Sequence, residues 1–204
     1  MVKKKTSFSF KLSQNLVQLL IVMAGVFLGM LLTEWNLGRK TSNKVGTALK
    51  QIRIEILANQ KMLDAGIMHK KPFFSSLDSL ESSLTLEMAN EPLFDKPLIY
   101  RFPGWKGIGS LRADDSMYQT AMFSNVFPEM DIELVRELAL LYNTQNEYNK
   151  IRETLMGRFL QMDSSTTYGD ALRLMWQIAE ELGAYELMLQ DKYKVILDKL
   201  ENYR

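Results

Sequence analysis

The sequence predicts an all-α protein: an N-terminal transmembrane helix followed by an antiparallel bundle of long helices with one long irregular loop. Three observations predict it. The stretch Leu16 to Leu32, LVQLLIVMAGVFLGMLL, is interrupted only by Gln18, and no charge occurs between Lys11 and Glu34. Beyond it, apolar residues recur at helical spacings of three and four, and no segment sustains the alternation of a strand. Three of the 5 prolines fall in one stretch, Pro92 to Ser110, together with Gly104, Gly107 and Gly109.

The anchor comes first. At about 1.5 Å per residue, Asn15 to Thr33 nearly matches a hydrocarbon core roughly 30 Å thick. The predicted division is a short basic tail over 1–13, the anchor over 14–34 and a helical soluble domain over 35–204, with a stalk helix over about 36–68. A basic tail precedes an apolar run longer than that of a cleaved signal, and the exit LLTEWNLG holds no small-x-small cleavage pair. The segment therefore reads as an uncleaved signal-anchor. Lys3, Lys4, Lys5 and Lys11 before the span favour a cytoplasmic N-terminus, although Arg39, Lys40, Lys44 and Lys50 follow it. Trp35 is placed to anchor at headgroup level. Gly25 and Gly29 form a GxxxG pattern that lets two helices approach closely, and glycine is also simply common in such spans.

The stalk follows. Val45, Leu49, Ile52, Ile56, Asn59 and Leu63 define one helical face, on which Asn59 reads as a partly exposed break rather than a buried register residue. Gly38 is the sole interruption expected between anchor and stalk. Lys70-Lys71-Pro72 is expected to end this helix, because proline disfavours helical geometry in the residue before it. A second helix is predicted from Phe73 to Ala89, with Phe73, Leu77, Leu80, Leu84 and Met88 inward and its serines mostly outward.

Pro92 to Ser110, PLFDKPLIYRFPGWKGIGS, is the irregular loop. It is too apolar to float free in water. Tyr100, Arg101, Phe102, Trp105 and Lys106 interleave aromatic and basic groups, a candidate partner surface. In the alternative reading the aromatics cap the end of a bundle and the cations face solvent. A short helix is then expected over Ala113 to Asn125, capped by Asp114 or Asp115. Asp131 is expected to cap a helix from Ile132 to Met162 carrying Leu134, Leu138, Leu141, Tyr142, Tyr148, Leu155 and Phe159. A last helix runs from Ser165–Tyr168 towards Asn202, striped by Leu172, Met175, Ile178, Ala179, Leu182, Leu189, Tyr193, Ile196 and Leu200.

Composition narrows the function classes. Apolar residues make up 47% and charged residues 24%, which is ordinary for a globular chain. Removing the four lysines and Glu34 at or before the anchor's end from 25 basic and 24 acidic residues leaves 21 and 23, a charge of about −2. That balance gives no footprint for nucleic acid. The absence of cysteine excludes thiol catalysis, disulfides and cysteine–zinc sites. His69 is the one histidine, beside Lys70 and Lys71, and reads as an exposed surface residue. Asp114-Asp115 and Glu180-Glu181 are neighbours in sequence and do not face each other on a helix. Met117, Met122, Met130, Met156, Met162, Met175 and Met188 read as adaptable core packing. No phosphate loop, nucleophile elbow or helical metal motif occurs, so no enzyme, cofactor or metal is expected.

The segments TEWNLGRK at 33–40, LKQIRIEILANQKML at 49–63 and LRADDSMYQTAMFSNVFPEMDIELVRELALLYNTQNEYNKI at 111–151 resemble a family of bacterial single-pass membrane proteins of uncharacterised function with a Trp-Asn pair just after the span. The resemblance implies an anchored helical domain and no site residues.

The expected function is therefore a non-enzymatic, membrane-anchored module that binds or scaffolds another protein at the cell envelope. Its partners are the bilayer, a second protein and, through Gly25 and Gly29, a second copy. The soluble domain is expected outside the cytoplasm, on a bacterial inner membrane. The rival expectation is a sensor bundle that binds a small ligand between its helices. With no transmitter after the bundle, it would signal through a separate membrane partner.

Overall fold

A computed structural model describes residues 7–107 and 112–203. The basic tail through Thr6 and the end of the irregular loop at 108–110 lie outside the described residues. Helices account for the regular structure, and no strand occurs among the described residues. In chain order they are α1 (Ser7–Phe74), α2 (Leu77–Ser82), α3 (Leu86–Ala89), a 3-10 turn (Leu93–Asp95), α4 (Leu98–Arg101), α5 (Ser116–Phe123), a second 3-10 turn (Phe127–Glu129), α6 (Ile132–Leu160), α7 (Tyr168–Gln177), a π turn (Ile178–Leu182) and α8 (Gly183–Asn202). Internal contacts divide the chain into two units, Met1–Thr47 and Ala48–Arg204.

In the first unit, α1 carries a segment long and apolar enough to cross a membrane. Every large apolar side chain from Leu16 to Leu32 is more than half exposed, from 52% at Leu31 to 68% at Phe27. A core helix of a soluble protein would bury such residues. Thr33 turns its hydroxyl back onto the Gly29 carbonyl at 2.8 Å, satisfying a polar group within the helix.

In the second unit, α1 buries Leu49, Ile52, Ile56, Asn59 and Leu63, then continues the same three-four spacing through Gly66, Lys70 and Phe73. The expected break at Pro72 is therefore displaced. Proline removes one N–H, but the helix runs on to Phe74, where Ser75 and Ser76 hydroxyls donate to the carbonyls of Pro72 (2.9 Å) and Phe73 (2.7 Å). Asn59 is also corrected: it is 2% exposed, a core residue.

The single helix expected from Phe73 to Ala89 is instead two short pieces. Ser82 and Ser83 donate back to the carbonyls of Asp78 (2.7 Å) and Leu80 (3.0 Å), and Thr85 caps α3 by accepting from the Met88 amide at 3.2 Å. These hydroxyls compete for backbone groups that a continuous helix needs. Leu77 is buried, while Leu80, Leu84 and Met88 are half-buried.

α6 begins where expected, with Asp131 accepting from the amides of Glu133 and Leu134, both at 3.0 Å. α7 starts in a reciprocal cap between Thr167 and Asp170. α8 follows α7 through the π turn, which inserts one residue of extra width and carries the stripe from Ile178 and Leu182 to Glu186, Leu189, Tyr193, Ile196 and Leu200. α6 packs against α8, the π turn and α7, and α7 also receives α2 and α3. Of the methionines, Met130 and Met175 are buried, whereas Met117, Met122 and Met188 are exposed.

Candidate functional site

The segment 91–107 is fixed to the helices by one cation and two aromatic rings. Arg101, 7% exposed, donates to the Glu91 carboxylate at 2.5 Å and to the Pro92 carbonyl at 3.1 Å. Its guanidinium lies 5.4 Å from the centre of the Tyr168 ring, and the Tyr168 hydroxyl donates to the Arg101 carbonyl at 3.2 Å. The chain beside Glu91 is paired directly with the start of α7: Leu93 N–H donates to the Thr166 carbonyl at 2.8 Å and Tyr168 N–H to the Glu91 carbonyl at 2.9 Å. The hydrogen bond from Arg101 holds the Glu91 carboxyl below its usual range, with the charges of Arg101 and Lys96 acting in the same direction.

Phe102 is fully buried between Phe73, edge-on at 6.1 Å, and Tyr168 at 5.3 Å. Pro103 and Gly104 then form a tight turn closed by Trp105 N–H on the Phe102 carbonyl at 3.0 Å. Gly104 sits at φ +84°, which the third position of a type II turn requires. The turn returns Trp105 onto Phe73 (5.0 Å) and Phe159 (5.7 Å).

The five side chains of the expected partner surface therefore do not lie together on the outside. Arg101 and Phe102 are interior and Trp105 is half-buried. Tyr100 (75% exposed) and Lys106 face out, joined on the same segment by Ile99 (64%) and Phe94 (49%). Phe94 and Ile99 lie outside the five expected residues, which were marked by interleaved aromatic and basic groups. His69 is exposed, with Nε2 3.3 Å from the Lys106 carbonyl. In the first unit, Gly25 and Gly29 face open space and Trp35 is 67% exposed.

A second set of polar groups holds the segment that re-enters after the loop. Asn149 accepts from the Ala113 N–H and donates to its carbonyl, both at 3.0 Å, as a neighbouring strand would. Asn59 does the same for Asp114 at 2.9 and 2.6 Å, and Gln145 adds a bond to the Asp114 carbonyl at 2.7 Å. Tyr193 donates to Gln145 at 2.7 Å. Glu55, 6% exposed, takes the Tyr142 hydroxyl (2.6 Å), the Ser116 hydroxyl (3.2 Å) and the amides of Met117 (2.6 Å) and Tyr118 (3.4 Å). The expected cap of α5 is met in part: Asp114 accepts from the first helical amide, Ser116, at 3.1 Å, while the Asp115 side chain makes no capping bond and Glu55 from α1 receives the next two amides. Burial raises the Tyr142 phenol far above its ordinary range, reinforced by the hydrogen bond to Glu55, and burial also raises Tyr193.

These groups satisfy one another, and their chemistry is that of a clamp on backbone. Among the described residues, no group of three or more acidic or histidine side chains could hold a metal ion. No protein-family profile, curated protein or solved structure matches the chain.

Proposed function

We propose that this chain is a non-enzymatic, membrane-tethered helical module that binds another protein; the resemblance to bacterial single-pass proteins implies the anchored helical domain. In this reading Leu16 to Leu32 span the inner membrane, and the helices after Ala48 form an antiparallel bundle outside the cytoplasm. Gly25 and Gly29 are the contact for a second copy in the bilayer. The exposure of the apolar window supports the tether, since such a surface is stable in lipid and costly in water.

One observation carries the partner-binding reading. A short segment locked in place by Arg101, Phe102 and Trp105 holds Phe94, Ile99 and Tyr100 outward on the same segment as Lys96 and Lys106. Burying Arg101 is costly, and the return is an ordered display of apolar side chains. Aromatic residues that project from a pre-ordered backbone are the usual anchors of protein interfaces.

Site-specific photo-crosslinking in cells tests this. A crosslinking residue at Tyr100 or Ile99 should give one discrete protein adduct, absent when the residue stands at the exposed control position Lys194. Loss of the adduct in an Ile99→Asp background should leave membrane retention unchanged. Equal, diffuse labelling at Tyr100 and Lys194 would overturn the assignment.

A further inference from the structure

Two buried charges occupy positions where the helical stripes call for apolar residues. Lys70 follows Leu63 and Gly66 on the inner face of α1, and Glu186 follows Leu182 on α8. Their side chains are 2% and 5% exposed, and the Lys70 ammonium donates to Glu186 Oε1. The Tyr148 hydroxyl donates to the same oxygen at 3.2 Å. The pair lines an open groove of about 460 Å³ bordered by Ile67, Phe74, Ala184 and Leu187. That volume falls in the range of roughly 300–1,000 Å³ that accepts a small organic molecule. The groove exists because the side chains on the α8 side are small: Ala179, Gly183 and Ala184 follow one another across the π turn.

The polar accounting at its floor is unequal. Glu186 takes two hydrogen bonds on one oxygen. Lys70 has three donors, and its one described hydrogen bond goes to Glu186, with the Phe74 ring centre 6.0 Å away. A buried ammonium with unspent donors calls for an acceptor. Lys71, also on the lining, is not neutralised there, so the groove carries a net positive charge amid mostly apolar walls. The complementary ligand is apolar along most of its length and anionic at one end.

We propose that this groove binds a small amphiphilic monoanion, a carboxylate on an apolar chain or ring. Its oxygens meet Lys70 and Lys71, and its apolar part lies against Phe74, Ala184 and Leu187. The site is independent of the surface at Tyr100 and stands or falls separately from it.

The test uses the full chain in lipid discs with labelled methyl groups on Ile, Leu and Ala. Titration with 4-phenylbutyrate should shift the methyl signals of Ile67, Ala184 and Leu187 saturably, and 4-phenylbutanol should bind about tenfold or more weakly. Ala184→Phe, at an exposed position, should fill the groove and abolish the shifts. Replacing the three charges together, Lys70→Met and Glu186→Leu with Lys71→Gln, avoids stranding one buried charge and should erase the preference for the acid. Absence of saturable shifts in the native chain, or equal affinity for acid and alcohol, would overturn the proposal. So would an acid preference that survives the triple replacement, or binding that survives Ala184→Phe.

Discussion

Arg101 shows how one residue decides which of its neighbours face solvent. Its guanidinium forks between the Glu91 carboxylate and the Pro92 carbonyl, beneath Tyr168. Arg101→Met should destabilise the domain by about 1–3 kcal/mol in urea unfolding, and Arg101→Lys should recover only part, because an ammonium cannot make the planar fork. Glu55 is the counterpart at α5. Glu55→Ala should strand the amides of Met117 and Tyr118 and raise their hydrogen-exchange rates before global stability is lost. Ionisation follows the same contacts. Glu91, Asp163 and Asp170 are held below their usual values, Glu91 by Arg101 and the others chiefly by the hydroxyls of Ser165 and Thr167. Their folded values are depressed, so the stability they add is complete above the ordinary carboxylate range and is lost as pH falls through the lowered values. Tyr142 and Tyr193 are shifted upward, so their contribution is complete below about pH 10 and declines above it, as the unfolded chain ionises first. The urea midpoint should therefore plateau between these limits, and Glu91→Gln should flatten its acid side.

Among the elements, two glycines separate tight packing from open space. A Cβ on Gly169 would stand 3.1 Å from the Ala89 carbonyl oxygen and 3.3 Å from its Cβ, where α3 meets α7. Gly169→Ala should cost roughly 1–2 kcal/mol despite the gain in helix propensity. Gly183, at the start of α8, meets nothing within 4 Å. Gly183→Ala should stabilise by about 0.5–1 kcal/mol, read as a higher urea midpoint. Such contacts explain what could be read beforehand. α6 and the α7–α8 stripe were legible because long apolar periodicity and the Asp131 cap are local signals. The core position of Lys70 was not, since Gly66 and Lys70 hide the stripe's continuation and Pro72 advertises an ending that comes only after Phe74. The serines of 75–83 looked like a polar helix face, yet several spend their hydroxyls on backbone carbonyls. Nothing local marks the π turn, which packs against α6.

For the whole molecule, long-range polar bonds replace what local pattern cannot supply. Asn59 reaches Asp114, Glu55 reaches Tyr142 and Lys70 reaches Glu186, each across more than fifty residues of chain. The candidate surface was half legible for this reason. Aromatic and basic residues marked the right segment, but the partners that draw Arg101 and Phe102 inward come from Glu91, Phe73 and Tyr168, which sequence order does not join to them. All of these bonds lie within Ala48–Arg204, so a fragment starting at Ala48 should be soluble and unfold as cooperatively as the full chain. We propose that the exposed apolar helix holds this domain outside the cytoplasm. Paired reporters fused after Arg204, one active only in the cytoplasm and one only outside it, measure that directly. Outside activity, retained in the membrane fraction, is the expected result. Cytoplasmic activity, or a reporter recovered in the soluble fraction, would contradict it.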